Sequence, residues 1–122
     1  MAVFIHGVNF HEGQLVKKAL ESFHSLGTTT SSRIMAKYYI HKLAKIGTLA
    51  PRTVTSLTAE LSQMKIGSDA KRAVQDNIRR LKDIGSFRGR RHAMGLPVRG
   101  QRTRTQTITA NLLNRVEADR RF

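Results

Sequence analysis

Apolar residues recur at spacings of three and four through four blocks of this chain, each block closes at a glycine, and the pattern stops at Gly85 with a long remainder still to come. This constrains the fold more than any other feature, because a 3.6-residue period selects helices over strands and terminal glycines bound their length. Val16, Ala19, Leu20 and Phe23 predict a helix over 14–25 that ends near Gly27, with Lys17, Lys18 and Glu21 on its wet face. The turn "GTTTSS" follows, in which any of Thr28 to Ser31 can cap the next helix. That helix, "SRIMAKYYIHKLAKIG", carries Ile34, Tyr38 and Ala44 on its apolar side and stops at Gly47. The two helices form a hairpin. Pro51 suits a first helical turn, and Val54, Leu57, Leu61 and Met64 give a third stripe that ends near Gly67. Ser68 and Asp69 open a fourth helix, with Ala70, Val74, Ile78, Leu81 and Ile84 directed inward and Gly85 as its stop. Ahead of all four, "VFIHGVNF" reads as a short extended segment.

Beyond Gly85 lies "RGRRHAMGLPVRGQRTRT", residues 88–105, with six arginines, a histidine, three glycines, a proline and no acid. Such a stretch repels itself and offers little to bury. It is expected to be an arm that is disordered in the free protein and ordered by a partner. The alternative is a solubilising basic tail, which the varied anchors Met94, Leu96 and Val98 argue against. The fold class expected is therefore mainly α: a helical domain over 1–85, then an extended basic arm over 86–122 in which "ITANLLNRVEADRRF" can form a short terminal helix around Ile108, Leu112, Leu113 and Val116.

The chain carries 22 Lys+Arg against 8 Asp+Glu, a formal charge of +14, and the imbalance is concentrated in its second half. A polyanion is the partner this implies. Nucleic acid is favoured over membrane, since no run approaches a membrane span and the basic segment has no bulky apolar face. With no cysteine, disulfides, thiolate metal sites and cysteine nucleophiles are excluded. The amino terminus resembles neither a secretory signal nor a cleavable presequence, so secretion is not expected and import without cleavage stays open.

His6, His11, His24, His41 and His92 are scattered, so neither a metal nor a cofactor is expected. Asp69, Asp76 and Asp83 read as solvated or ion-paired. No P-loop or nucleophile elbow is present, and Thr28, Ser31 and Ser32 have no base partner, so no enzyme is expected. The candidate contacts are for RNA. Arg88, Arg90, Arg91, Arg99, Arg102 and Arg104 carry planar forks that match phosphate and stack on bases, and His92 lies among them. Arg79, Arg80 and Lys82 project positive charge from the end of the fourth helix. Gly89, Gly95, Pro97 and Gly100 are expected to shape the arm. At the hairpin, amides and hydroxyls of Thr28, Thr29 and Ser31, with Arg33, can hold a phosphate, or the turn can be an ordinary capped connection. Phe87 is expected to pin the root of the arm to the helices rather than to stack on a base.

The segment "RRLKDIGSFRGRRHAMGLPVRGQRTRT", residues 79–105, closely resembles the signature of the universal small-subunit ribosomal protein family numbered thirteen. Weaker agreement runs upstream through "SDAKRAVQDNI", "LTAELSQMKI", "LGTTTSSRI" and "FIHGVNF". The resemblance implies a helical domain containing a helix-two-turn-helix, a carboxy-terminal arm, and a place in the head of the small subunit. It also implies binding to small-subunit rRNA, contact with the neighbouring family numbered nineteen, and bridges to the large subunit. Arg88, Arg90, Arg91, His92, Arg99, Arg102 and Arg104 then fall at rRNA contacts.

Two departures shape the expectation. The family's hairpin turn usually reads Gly-hydrophobic-Gly-Lys, whereas Gly27, Thr28, Thr29 and Thr30 stand here, without the lysine. Bacterial members end in a Lys/Arg/Pro-rich tail that approaches peptidyl-site tRNA. Here the tail is more helical and partly acidic, which argues against tRNA contact. With "GRRHAMGLPVRGQ", this ending resembles the fungal mitochondrial branch, and a mitochondrial ribosome is expected rather than a bacterial cytoplasm. The rival readings are a DNA-binding helix-two-turn-helix module and a metal-free hydrolase, and the latter lacks site residues.

Overall fold

The computed structural model describes residues 2–114. The fold is mainly helical with one small sheet. Two compact units divide it between Ala70 and Lys71. Val116 and the rest of the tail from Arg115 lie outside the described residues.

The first unit opens with a hairpin. Strand β1 (Ala2–Ile5) pairs antiparallel with β2 (Val8–His11), Ile5 opposite Val8. Both residues of the connecting turn have positive φ, His6 at 45° and Gly7 at 82°. That geometry matches the right-handed twist of the strands it joins, so the expected extended segment is half of a hairpin. Ile5 and Phe10 point into the core.

Helix α1 (Val16–Glu21) is shorter than the 3.6-residue pattern implies. Helix α2 (Thr28–Lys37) starts earlier than expected and ends ten residues before Gly47. The cause is non-local. Residues that seemed to continue α2 are taken by the chain before α1: Val16 N–H donates to Ala44 O at 3.0 Å, Ile46 N–H to Gln14 O at 2.9 Å and Gly47 N–H to Glu12 O at 3.0 Å. A 3₁₀ turn (Ile46–Thr48) then leads to the next helix. At the end of α2, Tyr39 N–H donates to Ala36 O and Ile40 N–H to Met35 O, with Tyr39 at φ 54°. This is a Schellman ending with tyrosine where glycine is usual.

Helix α3 (Pro51–Gln63) has Pro51 in its first turn, and Leu57 and Leu61 fully buried, as the stripe implies. They join Ile5, Phe10, Val16, Leu20, Phe23, Ile34, Met35, Ile46 and Ile66 in one apolar core. Phe23 sits edge-on to both Phe10 and His6, at 5.8 Å between ring centres in each case. Near the surface Lys37 Nζ donates to Glu60 Oε2 at 2.6 Å, and the Tyr38 hydroxyl donates to the same oxygen. This ties α2 to α3.

Helix α4 (Ser68–Asp83) runs across the division. No residue of it is buried, and Val74 and Ile84 of its expected inward stripe are exposed. The expected arm is not structureless: helix α5 (Phe87–Met94) and helix α6 (Thr103–Leu113) form within it, leaving Gly95 to Arg102 as the extended connection. The buried residues from Lys71 on, among those described, are Gly89, Pro97 and Ala110. Two are too small and one too rigid to build a core like that of the first unit.

Candidate nucleic-acid interface

From Ile84 to Asn114 the chain holds not one carboxylate side chain. The ion pairs Lys17–Glu21, Lys18–Glu21 and Lys37–Glu60 all lie in the first unit. Arg88, Arg90, Arg99, Arg102 and Arg104 are exposed, and none is paired with a carboxylate among the described residues. Arg79 and Arg80 are exposed on α4, while Lys82 is half-buried.

Local chemistry builds α5. The Ser86 hydroxyl accepts from Gly89 N–H at 3.1 Å and donates to Leu81 O at 3.0 Å, capping α5 while clamping it to the end of α4. At the other end Gly95, at φ 69°, closes a Schellman motif in which Leu96 N–H donates to Arg91 O at 3.0 Å. The connection is held from within. Arg91 Nε donates to Pro97 O at 3.1 Å, and Arg99 N–H donates to Gln101 Oε1 at 3.0 Å. Gly100 adopts φ 77° in open space.

These bonds separate the expected residues by role. Arg91 is half-buried and committed to the connection, its guanidinium 5.9 Å from the centre of the Phe87 ring. Phe87 is 70% exposed, so it is not buried against the helices as expected; its face is covered in part by Arg91 instead. Gly89 shapes a helix crossing rather than a flexible arm, because a Cβ there would collide with the Leu81 carbonyl.

Electrostatics at the helix starts point the same way. Neither α5 nor α6 has an acid in its first turn; Arg88 lies in that of α5, and Arg102 and Arg104 open α6. A cation at the positive end of a helix dipole costs about 0.3–1 kcal/mol, and a bound anion reverses the sign. His92 is held below the ordinary imidazole value of 6.5, first by burial and then by the charges of Lys82 and Arg88. Its ring is therefore neutral near pH 7.

At the α2 start the expected phosphate grip is divided. Thr28 and Thr29 are exposed, as is Arg33. Gly27, not a hydroxyl residue, occupies the N-cap, and no side chain caps the helix. Ser31 is fully buried with its hydroxyl unpartnered, so it faces the core and not a phosphate. These residues belong to the first unit and the arginines named above to the second.

The structure also brings together residues that charge reading passes over. A cavity of about 360 Å³ is lined by Arg88, His92 and Arg99 together with Gln101, Gln106, Thr109 and Asn114. No charge pattern marks these amides; only the packing of α6 beside the connection gathers them. Asn111 packs against Gly95 to set that contact. Among the described residues no group of His, Asp and Glu can hold a metal ion, and no helix is long and apolar enough to cross a membrane.

A mainly helical protein with a long carboxylate-free basic stretch has the charge character expected of polyanion-binding proteins. Comparison with known proteins narrows this class. The family described as ribosomal protein S13/S18 matches residues 4–109. The small ribosomal subunit protein uS13m of Neurospora crassa is 64% identical over 115 residues, covering 94% of this chain and 97% of the relative. The protein of the same name from Schizosaccharomyces pombe is 40% identical, covering 93% of this chain and 76% of its own length. The chain belongs to the ribosomal protein S13/S18 family and to its fungal mitochondrial branch. Its relatives are structural ribosomal proteins and not enzymes.

Proposed function

We propose that this chain binds small-subunit rRNA in the head of the mitochondrial ribosome, lies beside the family numbered nineteen, and contributes to bridges with the large subunit. The observation that carries the reading is the carboxylate-free, arginine-rich stretch of α5, the connection and the start of α6. Exposed arginines there have no carboxylate partner among the described residues, and acids would face phosphate. Arg79, Arg80, Arg88, Arg90, Arg99, Arg102 and Arg104 serve as phosphate contacts. Arg91, Gly89, Gly95 and Pro97 hold the shape that presents them. Thr28, Thr29 and Arg33 supply a second, smaller contact from the hairpin of the first unit.

Filter binding of the full chain to a structured rRNA fragment from the subunit head, and to duplex DNA, tests this. If the arm neutralises about six phosphates, affinity for the fragment falls on the order of a thousandfold between 50 and 200 mM salt. A flat salt response, or a preference for duplex DNA, overturns the reading. Sedimentation of the tagged protein with small-subunit particles from purified mitochondria tests its place in the ribosome.

A further inference from the structure

We infer that the cavity between α5, the connection and α6 is a receptacle for one unstacked nucleotide of RNA, its base held in the cavity and its phosphate met by Arg88 and Arg99. This rests on the rRNA reading above and adds to it. Phosphate contacts alone need an exposed basic surface, and the arm has one without any cavity. The cavity is built differently.

Its apolar wall is formed by Pro97, Val98, Ala110 and Leu113, of which Pro97 and Ala110 are buried and Leu113 is exposed. His92 adds a flat ring that burial keeps neutral near pH 7, a surface on which a base stacks without bringing a further charge. Around this wall stand Gln101, Gln106 and Asn114, three side-chain amides. An amide offers a donor and an acceptor side by side, the arrangement that reads the edge of a base. The Gln101 carbonyl oxygen already accepts from Arg99 N–H at 3.0 Å, which fixes that amide and leaves its NH₂ end to donate. Among the described residues no acid lines the cavity.

Size agrees. About 360 Å³ lies near the lower end of the roughly 300–1,000 Å³ found for small-molecule sites, enough for a nucleoside and too small for a stacked run. The walls are also held: Arg91 Nε donates to Pro97 O, and Asn111 packs on Gly95, which joins the connection to α6.

The test uses the full-length isotope-labelled chain, titrated in turn with the four nucleoside 5′-monophosphates and with inorganic phosphate while amide shifts are followed. The expected result is saturable movement of His92, Val98, Gln106 and Ala110 with at least one mononucleotide, and no such movement of Val98, Gln106 and Ala110 with inorganic phosphate at the same concentration. Thr109→Trp, which fills the cavity, is expected to abolish the movement. Gln106→Ala, which leaves net charge and wall intact, weakens it several-fold and guards against misfolding of the bulkier variant. If phosphate reproduces the shifts, or both variants bind mononucleotide as the parent does, the receptacle is overturned. If no mononucleotide moves these residues while the rRNA fragment still binds with steep salt dependence, the cavity inference falls alone. If the fragment also fails to bind, the rRNA reading falls with it.

Discussion

Gly89 in α5 lies so close to the carbonyl of Leu81 in α4 that a side chain at this position has nowhere to go. The Ser86 hydroxyl bonds to both residues, so one side chain and two backbone groups join the two helices at this corner.

Gly89→Ala is therefore expected to destabilise this corner by about 1–3 kcal/mol, the usual cost of forcing atoms into a filled space. Urea unfolding monitored by amide signals of α5 checks it. An unchanged midpoint would mean that the two helices can slide apart without loss.

Tyr39 is 97% exposed and sits at φ 54°, so its ring contributes no packing while its Cβ strains the end of α2. Tyr39→Gly is expected to raise stability by about 1 kcal/mol. A higher thermal midpoint for the variant is the expected readout, and a lower one would show that the ring has a partner.

Local signals were enough where an element depends on its own residues. Pro51, Leu57 and Leu61 announce α3 because a first-turn proline and a three-four stripe act within one helix. The end of α2 at Lys37 was not legible. It is decided by hydrogen bonds from Val16, Ile46 and Gly47 that join segments some thirty residues apart, and no window of sequence contains both. The helix α5 presents a different case. Ser86 at its start and Gly95 at its end are ordinary cap residues, but the arginines between them lack an apolar stripe, and periodicity alone reads them as structureless. Likewise the arginines of the interface are visible as charge, whereas Gln106 and Asn114 acquire meaning only from the cavity they share with His92.

Arg90 and Arg91 are neighbours with different tasks, since Arg90 is exposed and Arg91 donates to Pro97 O. Arg90→Ala is expected to lower the salt slope of rRNA binding by a little under one unit, about 0.7–0.9, with no change in stability. Arg91→Ala is expected to lower the unfolding midpoint, because it removes the bond to Pro97 O. Arg91→Lys keeps the charge without the fork, and is expected to leave the midpoint lowered. Salt titrations and urea curves on the three variants separate these outcomes.

His92 gives the second unit a pH dependence. Its pKa is below 6.5 in the folded chain, so between that value and the folded one the unfolded chain binds more protons. Stability is then complete above about pH 6.5 and declines as pH falls through the window, levelling once both states are protonated. His92→Gln removes this component. The parent's unfolding midpoint relative to the variant's, followed from about pH 7.5 down to about pH 5, is expected to fall as pH drops.

The shortage of buried apolar residues beyond Lys71 bears on how long a newly made copy lasts. Ile84, Phe87, Met94, Ile108 and Leu112 are exposed there; Ser86 caps α5, whereas no side chain caps the start of α6. Segments of this kind open at low free-energy cost and are where proteases gain entry. Bound RNA lowers the population of open forms by mass action. On the proposed rRNA role, copies of this chain without RNA are expected to be cleared faster than copies bound to it.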